Sequence, residues 1–183
     1  MSNFCITRKF FLVLLSLLVA TTTIGQISEL PDAPDFDPAF EKIELPGGTA
    51  GNAVQRIVQD SAGYMWFATQ GGLHRYDGKS FTTYNSDPIN QNTLSSDYIE
   101  DIYIDKEGIM WLSHWAGGGL TAFNPDEGIF TRHTDDPNDP ESISGGPTGC
   151  LAEDAEGNIW IGGPDGLSRM DRQTGMFKKY SHD

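Results

Sequence analysis

Ser113-His114-Trp115-Ala116-Gly117-Gly118 is a stretch whose residue types could hold a ligand. A Trp indole offers a flat apolar face on which a sugar ring can stack, and a His beside it can donate or accept a hydrogen bond. His114 and Trp115 are therefore the candidate ligand-binding residues. The alternative is a Trp115 packed over a neighbouring element, an ordinary fate for so large an apolar side chain. The other histidines, His74, His133 and His182, have no partner at catalytic or metal-ligand spacing. The 26 Asp and Glu residues invite a glycoside-hydrolysing pair of carboxyl groups, which needs two acids facing each other across a substrate. Asp60, Asp105 and Asp154 instead recur at equivalent places, as do Asp77 and Asp171, which is how turn residues behave. Asp135-Asp136-Pro137-Asn138-Asp139 lacks the central Gly and terminal Glu of a calcium loop. Cys5 and Cys150 show no zinc spacing. No catalytic residue, cofactor-binding residue or metal ligand is assigned.

The elements that position this loop belong to a repeat. Trp66, Trp111 and Trp160 each stand three residues after a Gly and six after an Asp. Each is followed by a Gly-Leu pair (Gly72-Leu73, Gly119-Leu120, Gly166-Leu167), and the Leu residues are 47 and 47 apart. A period of this size means stacked supersecondary units or a propeller. The loop at Trp115 holds two extra residues relative to the other copies, and its Trp has no counterpart in them.

Each copy reads as four short strands. A first apolar stretch ends in Asp-x-x-Gly, a tight-turn signal in which Asp opens the turn and Gly supplies positive φ. A dense apolar run follows: Met65-Trp66-Phe67, Met110-Trp111-Leu112 and Ile159-Trp160-Ile161. Both faces of that strand are apolar, as in a strand sandwiched between layers. The small residue after it (Ala68, Ser113 or Gly162) permits crowding toward an axis. A third strand ends at Asp77, Asn124 or Asp171, and a fourth carries Phe81, Phe130 or Phe177. His74, Thr121 and Ser168 share one polar position on the third strand, and His133 replaces a Tyr in a packing role. The fold expected is all-β, a partial β-propeller of three four-stranded antiparallel blades over about 53–84, 98–133 and 149–180 in an incomplete ring. The propeller fragment covers 40–183, and Phe40–Leu45 could add a strand. Asp-Pro linkers precede Leu94-Ser95 and Ile143-Ser144. Ser181-His182-Asp183 matches the start of such a linker, so a fourth copy is expected beyond it. Closed propellers hold about 4–8 blades, and an open arc is expected to be poorly stable because it exposes two apolar faces.

Arg8-Lys9, then the apolar run Phe10–Ala20, then a polar stretch make residues 1–25 a signal peptide. An uncleaved membrane anchor is the alternative, disfavoured by the short run. Residues 26–39 read as a flexible acidic spacer. The leader holds two of the 12 basic residues and none of the acids, so the remaining 158 or so residues carry 10 basic against 26 acidic, a formal −16. So acidic a surface argues against backbone binding to nucleic acid and against adhesion to an anionic membrane. Cys150 is left alone, with no internal disulfide to form; its counterparts are Arg56 and Asp101.

The string from Val54 through Asp60, Gly63, Trp66 and Leu73 to Arg75-Tyr76-Asp77-Gly78 and Phe81 resembles the bacterial two-component regulator propeller repeat, and all three copies fit it. The resemblance implies an exported sensor region on the periplasmic side of the inner membrane, binding a carbohydrate or other small ligand. It implies signalling domains further along the same polypeptide, most often a histidine kinase, and it brings no cofactor. Membrane contact would come only through that missing part or an uncleaved leader, and a homodimer is a further expectation. No catalytic motif of the output domains occurs here, so this chain is read as non-enzymatic. An exported glycan-acting enzyme and an interaction or assembly module are the alternative readings.

Overall fold

The computed structural model describes residues 42–180 apart from Asn52 and Ala116. The leader and acidic spacer lie outside the described residues. Three four-stranded antiparallel sheets follow one another, each ordered as in the chain and joined by tight turns. The first comprises β1 (Val54–Gln59), β2 (Met65–Thr69), β3 (Gly72–Tyr76) and β4 (Phe81–Tyr84). The second comprises β5 (Ile99–Ile104), β6 (Met110–His114), β7 (Leu120–Asn124) and β8 (Ile129–His133). The third comprises β9 (Leu151–Glu153), β10 (Ile159–Gly163), β11 (Gly166–Met170) and β12 (Phe177–Tyr180). No closed ring forms among the described residues.

The six-residue spacing from Asp to Trp has a direct cause. In the first blade Asp60 Oδ1 accepts the backbone N–H groups of Ala62 (3.0 Å) and Tyr64 (2.9 Å). Its Oδ2 accepts the Trp66 indole N–H at 2.7 Å. Asp105 and Asp154 repeat the pattern, taking the indoles of Trp111 at 2.8 Å and Trp160 at 2.9 Å. One carboxylate thus closes the turn and fixes the ring of the next strand. Gly63, Gly108 and Gly157 lie at φ near +90°, a conformation that L side chains rarely adopt. At the next turn, Oδ1 atoms of Asp77, Asn124 and Asp171 each accept two backbone N–H groups.

Side chains alternate across each strand, so every blade has two faces. The trailing face carries the Trp; the leading face carries the residues on either side of it. The core lies between blades. Trp66, Ala68 and Leu73 of the first blade pack against Ile99, Met110 and Phe123 of the second. Trp111 and Leu120 of the second pack against Ile159, Met170 and Phe177 of the third. Aromatic contacts follow the same scheme. Trp66 meets Tyr84 and Phe123, each at 5.8 Å, and His133 stacks on Trp111 at 6.2 Å with its edge toward Phe177 at 5.5 Å. His133 therefore packs where the other copies have Tyr.

The linkers fill the same layers. Leu94 and Ile143 are fully buried between blades. The following serines bond to the polar position of the third strand: Ser95 to Thr121 at 2.8 Å and Ser144 to Ser168 at 2.9 Å. Arg132 holds the first linker, donating to the carbonyls of Thr93 (2.9 Å), Asp87 (2.9 Å) and Asn90 (3.0 Å).

Two local expectations are refined. Lys42–Leu45 is irregular and Pro46 and the left-handed Gly47 lead into a short helix, α1 (Gly48–Gly51); Phe40 and Glu41 of the possible extra strand lie outside the described residues. The small residues after the apolar run face bulge positions on the first strand of their own blade: Ala68 pairs with Arg56 and Ser113 with Asp101. A Cβ on Gly162 would sit 2.6 Å from Cys150 Sγ. At Gly162 the absence of a side chain thus admits Cys150 of the adjacent strand.

Candidate functional site

Trp115 stands at the start of the β6–β7 turn and is about half exposed. Its backbone N–H donates to Tyr98 O at 3.2 Å, and its ring lies 6.5 Å from the Tyr98 ring at 36°. Gln70, in the β2–β3 turn of the first blade, donates its side-chain amide to Tyr98 Oη at 2.9 Å. Antiparallel order puts the second turn of every blade at the edge opposite the Asp-Gly turns. Trp115, Tyr98 and Gln70 therefore share one edge, with residues supplied by two blades. Gly119 makes the inserted loop return: it sits at φ +63°, and a Cβ there would lie 2.2 Å from His133 O.

His114, one residue earlier, is the last residue of β6, and its side chain is fully buried. Nε2 and Thr121 Oγ1 are hydrogen-bonded at 2.9 Å, while Nδ1 has no hydrogen-bond partner among the described residues. The structure thus brings Trp115 beside Tyr98, which Gln70 also bonds, and buries His114 against Thr121. Tyr98 and Gln70 escaped the sequence reading. Tyr98 had a signal: counted from the Trp, its counterparts are Ala53 and Pro147, so this aromatic is as specific to the second copy as Trp115.

Burial pushes the His114 imidazole down from 6.5 to about 4. His74 and His133 are also lowered by burial. The unfolded chain takes up these protons near pH 6.5, whereas the folded chain resists, so stability is full above 6.5 and declines as pH falls toward 4. For His114 the total loss is about 3 kcal/mol. Urea midpoints should drop between pH 7.5 and 4.5, and His114→Gln should flatten that drop. A midpoint independent of pH across this window would contradict it.

The recurring carboxylates are occupied by turn amides and indoles, as described above. At the Asp-Gly edge, a cavity of about 290 Å³ opens between the first two blades, lined by Asp60, Tyr64, Trp66, Arg75, Ile104 and Pro125 among others. At the next interface the corresponding space holds Arg172, which bridges Asp105 and Glu107 and lies 5.3 Å above the Trp111 ring. Among the described residues, no group of three or more His, Cys, Asp or Glu is placed to hold a metal ion. No helix among them is long and apolar enough to cross a membrane.

Consecutive four-stranded antiparallel sheets, packed face to face through apolar layers, are blades of a β-propeller. The model of the two component regulator propeller family matches residues 48–71 and 142–165, which fall in the first and third copies. Two solved structures are extracellular domains of proteins assigned as hybrid two component systems of B. thetaiotaomicron. One is 26% identical with a TM-score of 0.66, the other 22% identical with a TM-score of 0.58. Each alignment covers 71% of this chain but 18% of the solved domain, so the chain spans a small part of those ectodomains. Virginiamycin B lyase from Staphylococcus aureus shares the fold, at 13% identity and a TM-score of 0.55 over 75% of this chain and 43% of the lyase. No curated protein matches the chain.

Proposed function

We propose that this chain is an exported, ligand-sensing portion of a two-component receptor, and that Trp115 and Tyr98 form its carbohydrate platform. The pairing of exposed Trp115 with half-buried Tyr98 is the observation that carries the reading. A half-exposed indole beside a second ring offers stacking area, and the Gln70 amide that orients Tyr98 adds a polar group near the same edge. The repeats, and the likeness to extracellular domains of hybrid two component systems, support the sensor class. In this reading the leader directs export to the periplasmic side of the inner membrane, and signalling domains of the same polypeptide read the bound state. The reading assigns no reaction to the chain. The recurring acids already serve turns and indoles, leaving them poorly suited as a facing acid–base pair.

Calorimetric titration with soluble gluco-, xylo-, manno- and galacto-oligosaccharides tests the reading. Saturable binding by one class, weakened at least tenfold by Trp115→Ala and without change in the sugar, is expected. Binding untouched by that substitution would remove the platform, and release of shortened products would favour a glycan-acting enzyme.

A further inference from the structure

The two interfaces between described blades differ at the Asp-Gly edge. At the second interface Arg172, in the β11–β12 turn, bridges Asp105 and Glu107 and lies over the Trp111 ring. At the first interface both outer members of that bridge are replaced by shorter residues. Counted from the turn residues Asn124 and Asp171, Pro125 takes the place of Arg172. Counted from Asp60 and Asp105, Ala62 takes the place of Glu107. Ala62 and Pro125 both line the cavity of about 290 Å³ between the first two blades, which is the space left where the bridge is lacking.

Arg75, on β3, lines the same cavity. Its guanidinium lies 4.7 Å from the centre of the Tyr64 ring and 5.8 Å from that of Trp66. Contact with ring faces holds the planar group but does not satisfy its N–H donors. The third-blade counterpart, Arg169, has Asp154 at 3.5 Å, and Arg172 has two carboxylates. Among the described residues, no ion pair or side-chain hydrogen bond forms to Arg75. The acids nearby are committed elsewhere: Asp60 accepts two turn amides and an indole, and Asp105 and Glu107 hold Arg172. Tyr64, Ile104 and Pro125, all half-buried, supply an apolar wall.

We propose that this cavity binds a small aromatic monocarboxylate, with Arg75 receiving its carboxylate. A guanidinium fork matches the two oxygens of a carboxylate, and the charge-assisted bonds so formed are strong ones. The ring of the ligand lies against the wall of Tyr64, Ile104 and Pro125, where aromatic and apolar contacts favour it. The volume is at the small end of ligand pockets, which run from about 300 to 1,000 Å³, and so suits a single ring. A single negative charge suits the site better than several, because Glu107 and the exposed Asp126 also line it. The proposal is independent of the carbohydrate platform, which lies at the opposite edge of the blades.

The test is titration of the isotope-labelled chain with benzoate, followed through its indole NMR signals. Benzoate should shift the Trp66 indole saturably and leave the Trp115 indole unmoved. Benzamide has the same shape without the charge and should bind about tenfold more weakly or worse. Acetate has the charge without the ring and should also bind more weakly. Arg75→Gln should weaken benzoate about tenfold or more, and Arg75→Lys should restore part of the loss. Ala62→Glu together with Pro125→Arg rebuilds at the first interface the bridge seen at the second, and should close the site. No saturable shift at Trp66, benzamide or acetate binding as tightly as benzoate, or binding untouched by Arg75→Gln or by the paired substitution would each overturn the proposal. If a variant fails to fold by circular dichroism, the three probes on the wild-type chain still decide.

Discussion

Trp66→Ala should lower the unfolding free energy by about 3–5 kcal/mol, the range for truncating a large buried aromatic. Trp160→Ala should cost about 1 kcal/mol, nearer the mean for point substitutions. The two residues occupy the same place in the repeat and make the same bond to an Asp. They differ in what lies above them. Trp66 is covered by Phe123 and the rest of the second blade's leading face, whereas the described residues put no blade on Trp160. Trp66→Phe separates packing from the indole bond, and should recover all but about 1–2 kcal/mol, the hydrogen-bond part. Urea unfolding at concentrations where the chain is a single copy reads these differences. Equal costs at Trp66 and Trp160 would mean that stability resides within blades rather than between them.

Asp105→Asn should cost about 3–5 kcal/mol, the range for breaking one partner of a buried ion pair. The Asp105 side chain is fully buried; its Oδ1 accepts two turn amides, and its Oδ2 accepts the Trp111 indole and the Arg172 guanidinium. An Asn amide nitrogen at Oδ2 would point a donor at two donors. Arg172 comes from the third blade, so the loss loosens the second interface. Asp60→Asn should cost less, because no described cation pairs with Asp60. Burial pushes the Asp105 carboxyl up, but the bonds from Trp111, Arg172 and the Ile109 and Glu107 amides outweigh it and hold it below the usual carboxylate value. Its stabilisation is therefore present above the unfolded carboxylate range and lost as pH falls through its lowered folded value. That acid loss begins below the window in which the histidines act. Pairing Asp105→Asn with Arg172→Leu should recover part of the cost, as expected for coupled partners. Simple additivity would contradict the bridge.

The blades were legible because their determinants are local and repeated. Asp, Gly and Trp at fixed spacing close a turn and anchor a ring within seven residues, and the Leu-Ser restart bonds to a strand of its own blade. Interface partners were less legible, since they depend on which strand face meets the next sheet. Arg172 illustrates this. Blades one and three place Arg75 and Arg169 opposite their own Trp on the neighbouring strand, whereas blade two has Ala122 there and receives Arg172 from the next blade. No spacing within the second copy announces that donor. The candidate site was half legible. Trp115 stood out as a residue without counterparts, but strand alternation at the end of β6 buries His114, and Tyr98 joins through the folded backbone. Phe40–Leu45 had strand-like residues, yet its described part, Lys42–Leu45, is irregular.

Carbohydrate binding at the Trp115–Tyr98 edge, as proposed, is open to direct measurement. Amide and indole NMR spectra of the labelled chain, recorded during titration with the oligosaccharide class that binds, test it directly. Saturable shifts centred on the Trp115 indole, Tyr98 and Gln70 are expected, with the Trp66 and Trp111 indoles unmoved and the sugar intact. Shifts centred elsewhere, or no shift at Trp115 with any of the four sugar classes, would contradict it.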